Sequence, residues 1–284
     1  YDAAVDKYQE RLLNIRKTVP LLESRLAKRQ HSLAERKKWK PAIMDFTSRT
    51  RLNKNNFKDV RVTSLFEMPN TNPPTANLVE FEKKLQAAKN RMHTNYAFYF
   101  GATPQNTEQL AQLKNVEGCC GVKLFAGSST GNLLVDKESD IEKVISSSDR
   151  IVSIHSEDED IIKLRKKFIR QGDVHSHPEW RNVECAMSST RRVVKIAERY
   201  DKKIHVLHVT TKEEVDFLAM HKKNVTFETT PQHLTLYAPD CYDKLGTYAQ
   251  MNPPLRSKDH YDRLWVAIKN NVVDVLGSDH APHL

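Results

Sequence analysis

Five short stretches of this chain end an apolar run on a side chain able to bind a metal or move a proton. "NVVDVLGSDHAPHL" carries Asp279 and His283 behind its valines, "RIVSIHSE" closes on His155, and "KIHVLHV" carries His208. "GVKLFAG" sets Lys123 among apolar neighbours, and "VTSLFEMPN" ends on Asn70. Imidazole and carboxylate are the usual donors to zinc, and both exchange protons at accessible pH. A lone ionisable group at the end of a strand says little. Four metal-suited groups on four different runs point to one shared centre for metal-assisted or acid–base chemistry. Lys123 adds a constraint of its own, because a bare ammonium buried among apolar groups must be paired, reach water or change chemically.

The elements needed to bring those groups together are legible. Short β-rich runs recur from about residue 42: "AIMDF", "VTSLFEM", "NYAFYFGA", "GVKLFAG", "RIVSIHSE", "KIHVLHV", "NVTFETT" and "VVDVLGSD". Charged helical stretches separate them, among them "ANLVEFEKKLQAAKNRM", residues 157–169, "ECAMSSTRRVVKIAERY" and "YDRLWVAIKN". Eight strands alternating with helices predict an α/β fold of the (β/α)8 TIM-barrel type over residues 41–284. In such a barrel the active site lies at the C-terminal mouths of the strands, where these polar residues fall. A doubly wound sheet is the alternative, but it needs neither eight strands nor polar groups at most strand ends. Residues 1–40 read as a helical extension, with Leu12, Leu13, Ile15, Val19, Leu22 and Leu26 at near-helical spacing around Pro20.

Strand alternation separates the two histidines of "IHVLHV". It predicts that His208 points into the barrel with Ile204 and Val206, while His205 faces the helix layer. The HxH pair His175 and His177 lies in a loop before "PEW", away from any strand end, and reads as surface.

Composition excludes several classes. Mean hydropathy is −0.63 and no apolar run is long enough for a bilayer or a secretory leader. A cytoplasmic protein is the expectation. The four cysteines form no CxxC, which argues for thiols rather than a disulfide frame or a zinc ribbon. The formal charge of +9 is concentrated in the first ~60 residues without a nucleic-acid-binding motif, and a solvated surface explains it. Only 8 glycines occur, so some loops of an enzyme this size are expected to be absent.

Taken in order, "MPNTNPPT", "VKLF", "IHSEDE", "HVLHVTT", "TPQHLTL", "MNPPLR" and "SDHAPH" resemble the dihydroorotases of the amidohydrolase superfamily, from about residue 60 to the end. Allantoinase and dihydropyrimidinase share the metal motifs, whereas "MPNT" with "MNPPLR" favours dihydroorotase. The resemblance implies two zinc ions bridged by a carboxylated Lys123. His155 and His208 would hold one zinc, and Asp279 would bind the other and serve as general base and acid. Asn70, Asn252 and His283 would bind substrate. The implied reaction is reversible ring opening of dihydroorotate to carbamoyl aspartate in pyrimidine synthesis, by a zinc-activated water.

The chain departs from the pattern at the first strand. An HxH and a carboxylate-binding Arg are expected there, but "IMDFTSRTR" offers Thr47 and Arg49 in place of the histidines. About one zinc per chain is therefore expected, with dihydroorotate hydrolysis poor or absent. The sequence also stops before an eighth helix, so the barrel is expected to be incomplete at its C-terminus. The alternatives are a structural partner, for example of aspartate transcarbamoylase or in a homo-oligomer, a sister cyclic amidase, or a nucleic-acid-binding module. The expected partner is the small-molecule substrate, with neither nucleic acid nor membrane.

Overall fold

Two rows of apolar side chains run straight across the sheet. Val122, Val152, Ile204 and Val225 stand side by side in register, and so do Leu124, Ile154, Val206 and Phe227 one pleat further on. All eight are sealed from solvent and join the main core cluster. The structure is a computed structural model that describes residues 64–129 and 132–280. These belong to one compact unit, Val62–Leu284.

The sheet has seven strands: β1 (Ser64–Glu67), β2 (Asn95–Gly101), β3 (Cys119–Phe125), β4 (Val152–His155), β5 (Ile204–Val206), β6 (Val225–Thr229) and β7 (Val275–Leu276). They pair in sequence order and every pairing is parallel. Parallel neighbours require a crossover, and most crossovers here are helical. Helix α1 (Leu78–Ala88) follows β1, and two 3-10 turns join β2 to β3. Helix α2 (Glu138–Ser147) follows β3; α3 (Glu159–Arg165), α4 (Ser176–Trp180) and α5 (Val183–Arg199) follow β4. Helix α6 (Lys212–Ala219) follows β5, and α7 (Pro231–Thr235), α8 (Asp240–Leu245) and α9 (Lys258–Lys269) lie between β6 and β7. This curled α/β sheet of consecutive parallel strands has the barrel-type architecture expected from the sequence. The predicted strand "AIMDF" and the helical extension of residues 1–40 lie outside the described residues.

Local chemistry starts the helices. The Asn182 side chain accepts from the Cys185 amide at the head of α5, and Thr211 does the same for Glu214 in α6. Ile141, Val144 and Ile145 of α2, with Val193, Val194 and Ala197 of α5, pack into the same cluster as the two sheet rows. That assigns the rows to the helix-covered face. The alternate residues, Lys123, Ser153, His205 and Thr226, also stand in register and therefore line the concave face.

Burying a leucine or isoleucine side chain stabilises by roughly 1.5–3 kcal/mol, and truncation adds a cavity term. Leu124→Ala should therefore lower stability by about 2–5 kcal/mol in urea unfolding. Val79→Ala, on the exposed face of α1, should stay within about 0.5 kcal/mol of the parent.

Candidate active site

His155 is the last residue of β4, and its ring meets the ring of His208 just beyond β5. His155 Nδ1 lies 3.1 Å from His208 Nε2, and both residues are buried. They reach this contact by different routes. His155 points inward as part of the regular pleat, in line with Ser153. His208 does not, because it is Ile204 and Val206 that face the helices and His205 that faces inward. This reverses the faces expected from strand alternation. Strand β5 ends at Val206, and His208 takes a left-handed backbone with φ 39°, which turns its ring back toward His155. His205 sits one layer down, its Nδ1 2.8 Å from Thr226 Oγ1 and its Nε2 3.3 Å from Glu228 Oε2.

Lys123 stands in the same row as Ser153 and His205, 2 % exposed, with Nζ 4.2 Å from the centre of the Phe125 ring. Burial pulls its pKa down to about 7, against the opposing pull of Asp279 and Glu228. Burial lowers His155, which Glu157 partly counters. It lowers His208 further, with His155 and Lys123 acting in the same direction. Asp279 follows β7 in a left-handed conformation, φ 43°, the same device as at His208. It is open to solvent at the rim, yet the protein packed around its carboxyl raises its pKa, opposed by Lys123 and His155. His155 and His208 thus meet at the ends of β4 and β5 with Lys123 of β3 nearby, and Asp279, beyond β7, lies close enough for its charge to act on Lys123.

Asn70 is half-buried in the loop after β1. That loop is stitched to the end of β2: the Thr75 amide donates to Pro69, Gly101 donates to Thr75, and Asn106 donates to both Ala76 and Gly101. Asn252 Oδ1 lies 3.1 Å from His177 Nε2. His177 is buried in α4, which corrects its reading as a surface residue: the sequence around it folds as a helix and not as an open loop. His175 remains partly exposed, 3.1 Å from Asp243. His283, Thr47 and Arg49 lie outside the described residues.

A buried charged network behind the two histidines was not foreseen. Glu157 Oε2 lies 2.9 Å from His155 Nε2 and accepts a hydrogen bond from Arg181, which also donates to the Ser128 carbonyl. Arg256 donates to the Arg181 carbonyl and to Thr210 Oγ1. The motifs "IHSEDE" and "MNPPLR" contain Glu157 and Arg256, so a signal existed for both. Arg181 had none. His233 of "TPQHLTL" contacts Thr230 Oγ1 at 2.7 Å and the Pro253 carbonyl at 3.2 Å, and burial brings its pKa to about 4.

Among the described residues, no group of three or more His, Cys, Asp and Glu is placed to hold a metal ion. The donor chemistry nevertheless fits one. Tetrahedral zinc sets neighbouring nitrogen donors roughly 3.3 Å apart, close to the His155–His208 spacing. A carboxylate backs His155 as it does in many zinc-bound histidines. Carboxylation of Lys123 would supply the missing oxygen donor.

The Lys123 ammonium ordinarily loses its proton at 10.5, but does so near 7 in the fold. Between those values the unfolded chain holds the extra proton, so the penalty this residue imposes on folding shrinks as pH rises. Lys123→Met should be more stable than the metal-free parent at pH 7. Its advantage should narrow by up to about 1.4 kcal/mol per pH unit toward pH 10, read from urea midpoints in CO2-free buffer.

No protein-family model matches the chain. Individual proteins do. A dihydroorotase of Methanosarcina mazei is 31% identical over 237 residues, covering 78% of this chain and 51% of that protein. An allantoinase of Salmonella paratyphi B is 28% identical over 237 residues, with 78% and 52% covered. The solved L-hydantoinase from Arthrobacter aurescens superposes with a TM-score of 0.72 at 26% identity, covering 77% of this chain and 50% of that one. The chain thus spans about half the length of the curated relatives it matches. The order of the strands and these relatives agree, and the chain belongs to the amidohydrolase superfamily.

Proposed function

We propose that this protein opens and closes a cyclic amide, with dihydroorotate and carbamoyl aspartate as the preferred pair. The observation that carries the reading is the His155–His208 contact at the strand ends, bordered by Lys123 and Asp279. A bound zinc would polarise the ring carbonyl and make water nucleophilic at neutral pH. His155 and His208 would hold it through His155 Nδ1 and His208 Nε2. Lys123 would join them as a carbamate, since an amine with a pKa near 7 is largely neutral at slightly alkaline pH and can add CO2. Asp279 takes the proton from the attacking water on its carboxylate and delivers it to the amide nitrogen as the ring C–N bond breaks. Such transfers contribute roughly 10²–10⁴ in rate. Asn70, Asn252 and His283 are proposed to bind the substrate, Asn70 and His283 at its carboxylate.

Thr47 and Arg49 stand where two imidazoles are expected, so the second ion lacks its two histidine donors and about one zinc binds per chain. Turnover by this chain alone is correspondingly slow or absent. A sister amidase specificity is the second reading, favoured by the structural likeness to L-hydantoinase.

Zinc content and ring opening of dihydroorotate, hydantoin and allantoin should be followed on the purified chain. About one zinc is expected, with dihydroorotate the best substrate of any that turns over. Asp279→Asn should lower any turnover by at least about 100-fold while leaving the unfolding midpoint nearly unchanged. Two tightly bound zincs with rapid turnover would overturn the one-ion reading, and preference for hydantoin would favour the sister specificity. Unchanged turnover in Asp279→Asn would remove that residue from the chemistry.

A further inference from the structure

An imidazole offers two nitrogens, and only the one without a proton can donate to an ion. The structure sets a carboxylate against one of His155's nitrogens. Glu157 is fully buried, and its Oε2 lies 2.9 Å from His155 Nε2. An ionised carboxylate can only accept, so the proton must sit on Nε2. That leaves a lone pair on Nδ1, the atom facing His208 Nε2.

The carboxylate is itself immobilised. Arg181 donates to the same oxygen and to the Ser128 carbonyl, and the Arg181 carbonyl is held in turn by Arg256. The Gly127 backbone packs closely against this residue, since a Cβ placed on Gly127 would lie 2.6 Å from the Glu157 carbonyl oxygen. This approach requires glycine. The neighbouring acids have other duties: Asp158 caps α3, and Glu159 accepts from the Ser128 amide at 2.7 Å.

We propose that Glu157, clamped by Arg181, is a positioning residue that fixes His155 in its Nε2–H form and aims Nδ1 at the centre shared with His208. The inference rests on the hydrolytic reading above only in what the centre is for. The tautomer itself is a property of the metal-free protein.

The full chain, labelled with 15N-histidine, tests this by long-range 1H–15N correlation spectra, with His155→Asn identifying the relevant ring. The parent should show a single Nε2–H form at His155. Removing both charges, as Glu157→Leu with Arg181→Met, avoids stranding a buried ion and should keep the fold. In that double variant the Nδ1–H form should appear, and zinc affinity measured by chelator competition should fall about 10–100-fold. Glu157→Gln keeps an oxygen acceptor and should retain the tautomer with a smaller loss of affinity, which also covers failure of the double variant to fold. A single Nε2–H form in the double variant, or an Nδ1–H form in the parent or in Glu157→Gln, would overturn the proposal. Absence of zinc binding and turnover in the parent would count against the hydrolytic reading while leaving the tautomer result to decide this one.

Discussion

A carboxylate taken out of water must meet opposite charge or strong donors, and Glu157 meets both. Its position between an imidazole and a guanidinium ties the exits of β3 and β4 to the end of α4. Arg256 extends the tie to Thr210 beyond β5. Burial raises the Glu157 pKa, but the His155 and Arg181 contacts outweigh it and hold the group below its usual range. A buried pair of this kind contributes little net stability over apolar packing, yet breaking one partner alone is expensive. Its value here lies in geometry. Lys123 is the complementary case, a buried cation with no carboxylate in direct contact among the described hydrogen bonds and ion pairs, which answers burial by releasing its proton.

Aim at the mouth of the sheet is set by backbone as much as by side chain. His208 and Asp279 both lie a few residues past a strand and both adopt positive φ, which is uncommon outside glycine and costs roughly 1–3 kcal/mol per residue. The same residues supply the imidazole and the carboxylate on which the proposed chemistry depends. Such strain is retained where the surrounding packing over-determines it, and His208 is enclosed by buried neighbours from Ile204 to Thr210. The rest of β5 can then keep its apolar residues toward the helices.

Those two facts mark the boundary of what could be read from residue order. The strands and their polar ends were legible because valine-rich runs, helical periodicity and punctuation all agree from "VTSLFEM" onward. Lys123, His155, His208 and Asp279 were legible as groups ending or interrupting such runs. The face assignment in "IHVLHV" was not, because alternation holds only while the strand lasts, and the left-handed turn at His208 leaves no periodic trace. The burial of His177 is not legible either, since a five-residue helix, Ser176–Trp180, carries too few turns to show an amphipathic pattern. Arg181 was invisible for a different reason: its partners, Glu157 and Ser128, are 24 and 53 positions away.

Those long separations bear on how the molecule comes together. The Arg181–Ser128 contact closes 53 positions of chain and the Arg256–Arg181 contact closes 75. Contacts this distant offset their loop-closure entropy only after intervening elements have docked. The clasp behind His155 therefore belongs to the end of the folding reaction, after β3 to β5 and their helices are in place. Until then Glu157, Arg181 and Arg256 remain hydrated, and the His155–His208 pair lacks its backing. Acquisition of the site thus follows the assembly of β3 to β5.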